Sequence, residues 1–118
     1  MLRPSKDIAQ VFVYRQPIDF RKSYNGLAAI VEQELRHDPF SGNLYIFTNK
    51  GRNKIKILLW ERNGFVLYYK SLQEEKFHWP KAEDTVVIIT GEQLNFLLDG
   101  YNINAMKPHR ILRYKALC

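Results

Sequence analysis

The chain has 118 residues, enough for one domain with a real core and too few for two. Hydrophobic residues make up 46% and the net charge is +6, a balance that fits a folded domain attractive to polyanions and excludes a chain too polar to fold. The single cysteine, Cys118, excludes an internal disulfide and a cysteine zinc cluster, and His37, His78 and His109 show no metal-ligand spacing.

Val11-Phe12-Val13-Tyr14 is a short apolar run that reads as a strand, broken at Pro17. Tyr24, Leu27, Ala28, Ile30, Val31 and Leu35 then recur at three- and four-residue steps, predicting a helix from about Phe20 to Leu35 with Asp19 as its N-cap. Pro39 and Gly42 punctuate its far end. Leu44–Phe47 reads as a second strand, the polar Thr48–Asn53 stretch as a turn, and Lys54–Glu61 as a third strand whose first half alternates charged and apolar residues. Asn63-Gly64 signals a hairpin, with Phe65–Lys70 returning, so these three strands form an antiparallel meander.

Phe77-His78-Trp79-Pro80 closes that region, and the β-branched Thr85–Ile89 reads as a further strand. Thr90 and Gln93 have capping-box spacing and open a second helix with the stripe Leu94, Leu97 and Leu98, ended by Asp99-Gly100. The expected fold is α+β: an antiparallel sheet of about four or five strands with two main helices. Residues 1–106 are expected to form one domain and residues 107–118 a basic, disordered arm. Met1–Asp7 lacks the apolar core of a signal peptide, and no apolar run approaches the ~20 residues of a membrane span, so a cytoplasmic protein is expected.

Three groups of residues carry possible chemistry. Arg21 and Lys22 sit at a helix start, where free N–H groups and the helix dipole favour phosphate; the plainer reading leaves both cations in water. Arg52, Lys54 and Lys56 share strand parity and are expected on one face, as in a ribbon that tracks a DNA backbone. The alternative there is a solvated face whose lysines guard an exposed strand. Among the aromatics, Tyr68 and Tyr69 point to opposite faces, and together with Trp79 they are candidates for a partner or base-stacking surface, or else for the core. No P-loop, GxSxG or HExxH occurs and the carboxylates show no metal-site spacing, so no catalytic residue, metal or cofactor is expected.

Five ordered segments add a resemblance. Asp19-Phe20-Arg21-Lys22-Ser23-Tyr24-Asn25-Gly26-Leu27 resembles D-[MF]-R-K-x-x-[DN]-G-L, and Asp38-Pro39-Phe40-Ser41-Gly42-Asn43-Leu44-Tyr45-Ile46-Phe47 resembles D-P-F-S-G-x-L-[FY]-[VI]-F. Ile55-Lys56-Ile57-Leu58-Leu59-Trp60 followed by Asn63-Gly64-Phe65, then Phe77-His78-Trp79-Pro80, then Gln93-Leu94 through Leu97-Leu98-Asp99-Gly100 complete the series. The chain thereby resembles the Orf2-like TnpB proteins of the insertion-sequence sixty-six (IS-66) group of bacterial transposons.

That resemblance spans roughly residues 11–103. It implies a non-catalytic accessory protein for DNA transposition, working with a separate transposase. It implies no catalytic residues. The expected partners are transposon DNA, the transposase, or both; the alternative is an adaptor that binds only the transposase. Arg21, Lys22 and Lys56 fall on motif positions, and Gly26 fits close packing or a helix irregularity. After Lys70 the family pattern R-L-E is replaced by Ser71-Leu72-Gln73-Glu74-Glu75, which loses an arginine and adds acids at that turn.

Overall fold

A computed structural model describes residues 10–81 and 83–105. Within them, strands β1 (Val11–Tyr14), β2 (Leu44–Thr48), β3 (Lys54–Glu61), β4 (Gly64–Ser71) and β5 (Val86–Ile89) form one sheet in the order β4-β3-β2-β1-β5. Helix α1 (Tyr24–Gln33) joins β1 to β2, and helix α2 (Gly91–Leu98) follows β5. A single 3-10 turn covers Ile103–Ala105.

The fold is α+β as expected, and the β2-β3-β4 meander forms with the register Ile46↔Ile57 and Ile57↔Tyr68. The sheet has five strands and is mostly antiparallel, with one parallel pair. β1 and β2 pair in parallel, Val11 against Leu44, because α1 carries the chain back to the end where β1 began. β5 then joins the open side of β1 antiparallel, Val11 against Ile89, instead of extending the meander beyond β4.

The interior strands β1 and β2 bury nearly everything they carry, so they read as continuous apolar runs. On one face Val11, Val13, Leu44, Ile46, Ile55 and Ile57 pack under Leu94, Leu97 and Leu98 of α2, together with Phe77 and Trp79. On the other, Phe12, Tyr45, Phe47 and Leu58 pack under Leu27 and Val31 of α1, with Ile18 and Phe20 alongside. The result is a sheet covered by a helix on each side.

Local details differ from expectation where side chains find other partners. The N-cap of α1 is Ser23, not Asp19, and the helix is shorter than the Phe20–Leu35 periodicity suggests. Asp19 instead accepts the Arg21 N–H at 3.0 Å, forming its own small turn ahead of the helix. The β3–β4 loop is Arg62-Asn63, with Glu61 paired to Gly64, so the positive φ of 51° falls on Arg62 and not on the glycine. At α2 the capping box is present: Thr90 Oγ1 accepts from Gln93 N at 3.0 Å, and Gln93 Oε1 accepts from Thr90 N at 2.8 Å. Gly100 leaves α2 at φ 91°, and Lys70 Nζ reaches over from β4 to donate to the Leu98 carbonyl at 2.6 Å. The expected basic arm, residues 107–118, lies outside the described residues.

Candidate nucleic-acid interface

The cations expected on one strand face separate into three different environments. Lys56 is 7% exposed. The segment before α1, anchored by Ile18 N–H on the Thr48 carbonyl, crosses the sheet directly over it. Lys56 Nζ donates to the carbonyls of Phe20 (2.6 Å) and Lys22 (2.9 Å), and lies 4.8 Å from the centre of the Phe20 ring and 5.8 Å from that of Tyr69. Burial pushes its pKa below the ordinary lysine value and nearby Lys54 adds to the effect, while Asp19 opposes it. The ammonium is thus consumed in holding the α1 lead-in to the sheet. Strand parity was right about its direction, but the covering segment is not visible in the strand's own sequence.

Arg21 is likewise engaged. Its guanidinium makes a forked pair with Asp19, Nη2 to Oδ2 at 2.7 Å, and hydrogen bonds between the two side chains hold the Asp19 carboxyl well below the usual carboxylate range. The pair is solvent-exposed, so its contribution to stability is small. Lys22 is exposed at the same lead-in. Gly26 sits one turn on, and a Cβ there would lie 3.1 Å from Lys22 Cβ. The motif glycine therefore leaves room for the Lys22 stem, the close-packing reading of that position.

The β2–β3 turn holds the rest. Asn49 brackets it: its Oδ1 accepts from Asn53 N and Lys54 N, both at 3.1 Å, and its Nδ2 donates to Asn53 Oδ1 at 2.7 Å. Inside this bracket Arg52 is held at φ 57°, a costly conformation for a residue with a Cβ. Lys50 and Arg52 are exposed and Lys54 half-buried. Lys22 and Lys54 flank Lys56, one through its carbonyl and the other two residues away on the same strand.

Arg52 also faces a second feature of the surface. It precedes β3, and it lines a groove of about 340 Å³ with Lys76, His78, Lys81, Asn102 and Asn104, floored by Phe77 and Trp79. Sequence reasoning missed Lys76 and Lys81. The available signal was their symmetric placement around the Phe77-His78-Trp79-Pro80 motif.

The aromatic expectations divide in the same way. Tyr68 packs against the α2-side core, whereas Tyr69, on the opposite face, is 50% exposed and touches Phe20 at 5.9 Å between ring centres. Trp79 is no surface residue: it is 2% exposed and donates its indole N–H to the Tyr14 carbonyl at 3.2 Å. A different aromatic group reaches solvent. Phe40, from the α1–β2 connection, sits 4.8 Å from Trp60 and 5.5 Å from Phe65, with Tyr24 adjoining Phe65 at 5.7 Å. Phe40 and Tyr24 are the most exposed of the four.

Among the described residues, no group of three or more His, Cys, Asp or Glu side chains is placed to hold a metal ion. No helix among them is long and apolar enough to cross a membrane.

Fold and surface together define a small mixed-sheet α+β module with exposed cations at its β2–β3 end. The model of the IS66 Orf2-like protein family matches residues 9–108, and the chain belongs to that family. Two relatives come from Sinorhizobium fredii strain NGR234, and both are described as uncharacterised. The protein y4jC is 30% identical over 113 residues, covering 96% of each chain. The protein y4hO is 31% identical over 97 residues, covering 82% of this chain and 84% of its own. No solved structure matches. Family membership supports an accessory role in the transposition of insertion sequences.

Proposed function

We propose that this protein serves transposition without catalysing it, by binding DNA through backbone phosphates. The observation that carries this reading is the group of exposed or half-exposed cations around the β2–β3 turn, Lys50, Arg52 and Lys54, none of which forms an ion pair among the described residues; Lys22, exposed on the α1 lead-in beside Asp19, adds to it more weakly. Such cations give affinity without sequence choice, because phosphates are the same at every step of the duplex. Arg21 contributes less, since Asp19 already neutralises it, and Lys56 contributes none directly. The test is a titration of the full chain against duplex DNA across a salt series. Affinity should fall by about 0.9 log units per tenfold rise in salt for each phosphate neutralised. Binding that ignores salt speaks against the proposal.

One observation favours a second reading, an adaptor that docks on the transposase. The cluster of Tyr24, Phe40, Trp60 and Phe65 presents two half-exposed rings beside two partly buried ones, the composition of an interface anchor. Salt-insensitive capture of the element's transposase, lost in Phe40→Ala and with no DNA shift, favours the adaptor.

A further inference from the structure

Within the DNA-binding reading, on which this rests, we infer that the groove between the β2–β3 turn and the Phe77–Lys81 segment is the specific seat of the phosphodiester backbone. Its cations come from two separate stretches of chain: Arg52 from the turn, Lys76 and Lys81 from the two flanks of the Phe77–Pro80 motif. All three are exposed, and among the described residues none of their side chains makes a hydrogen bond or ion pair. Among the described residues no carboxylate lines the groove; Glu74 and Glu75 border a separate depression with Leu72 and Gln73. Three like charges share one concavity, an arrangement that repels itself unless an anion enters.

The walls are fixed although the charged tips are free. Phe77 N–H donates to the Arg52 carbonyl at 2.7 Å, tying one wall to the other. Asn49 brackets the Arg52 turn from behind. Across the groove, Asn104 donates to the Trp79 carbonyl at 3.0 Å and accepts from Lys81 N at 2.9 Å, while Asn102 Oδ1 accepts from Asn104 N at 3.0 Å. That last bond uses the Asn102 carbonyl oxygen, and among the described residues its NH₂ makes no hydrogen bond. The Asn49 bracket holds Arg52 at a positive φ of 57°, which fixes where its side chain leaves the turn. Fixed walls reduce what must be ordered when a ligand enters.

A guanidinium, two ammonium groups, an imidazole and an amide suit successive phosphates along a nucleic-acid strand. An acidic peptide offers carboxylates on flexible stems instead, and is the outcome to be distinguished.

The experiment uses fluorescence anisotropy with a labelled mixed-sequence DNA oligonucleotide, single-stranded and as a duplex, across a salt series. The full chain is compared with the triple variant R52Q/K76Q/K81Q, which keeps side-chain length, and a thermal melt checks that the variant folds. The slope of log affinity against log salt should fall by about 2 to 3 in the triple variant, with affinity reduced about tenfold or more at moderate salt. A preference for one oligonucleotide form identifies which strand geometry the groove accepts. On NMR titration, the His78 ring and the Trp79 indole N–H should shift with DNA. If the wild-type protein binds DNA and the triple variant keeps the same slope, this groove is overturned while DNA binding stands. A wild-type protein with no DNA affinity overturns both. Displacement of DNA by polyglutamate at equal charge concentration overturns the choice of nucleic acid over acidic peptide.

Discussion

Replacing Lys56 by Met isolates the buried ammonium. Methionine matches the lysine stem and keeps its packing, but removes the charged group that donates to the Phe20 and Lys22 carbonyls at 2.6 and 2.9 Å. Hydrogen bonds to a charged group contribute about 1.5–3 kcal/mol each, and the Phe20 ring adds about 1 kcal/mol as a cation–π contact. Two effects work the other way: water can reach carbonyls of the lead-in segment, and the variant no longer desolvates a charge. The net loss should be about 2–3 kcal/mol, which lowers Tm by roughly 10 °C in a domain of this size. Urea unfolding followed by circular dichroism measures it, with an unchanged m-value expected if the folded state stays compact. DNA affinity should keep its salt slope, because the ammonium does not face solvent. A K56M protein as stable as the parent refutes the reasoning: desolvation would then outweigh the bonds, and the lead-in would be held by Ile18 and Phe20 packing alone.

Thr90→Ala removes one half of the capping box and should cost about 1 kcal/mol in urea unfolding. Trp79→Phe should cost about 2 kcal/mol, from the lost indole bond to Tyr14 and the space left behind, and melting curves would reveal it. Arg52→Gly relieves a positive φ worth about 1 kcal/mol while adding a similar loss of chain entropy, so stability should stay nearly constant as DNA affinity drops. A large loss of stability in that variant contradicts the idea that the turn is held by Asn49. Asp19 titrates below its ordinary value in the folded state, so its contribution is fully present above the unfolded carboxylate value and disappears as pH falls through the folded one. Asp19→Asn should flatten that acid limb when unfolding midpoints are compared from neutral to acidic pH.

Signals legible in the sequence were those whose partners lie close along the chain. Thr90 and Gln93 meet within one helical turn, and the Asn63-Gly64 pair marks a hairpin whose strands are neighbours, although the loop sits one residue earlier. Signals that failed depend on distant contacts. Nothing within Val11–Tyr14 or Val86–Ile89 says that these two strands pair with each other, so the edge position of β5 and the parallel β1–β2 ladder were hidden. The alternation of Lys54, Ile55, Lys56 and Ile57 correctly separated two faces, but assigned Lys56 to water because the cover arrives from residues more than thirty positions earlier. Trp79 was ambiguous for the same reason: its hydrogen-bond partner, Tyr14, is 65 residues away. The groove behind Arg52 depends on three chain segments meeting, which spacing alone does not encode.

The most direct check on the account is the ionic-strength dependence of duplex binding by the unmodified protein. Affinity declining steeply and linearly on a double-logarithmic plot, by several powers per decade of salt, is the expected behaviour of cations replacing counterions on phosphates. A flat plot, or no complex even at low ionic strength, contradicts a role exercised through DNA.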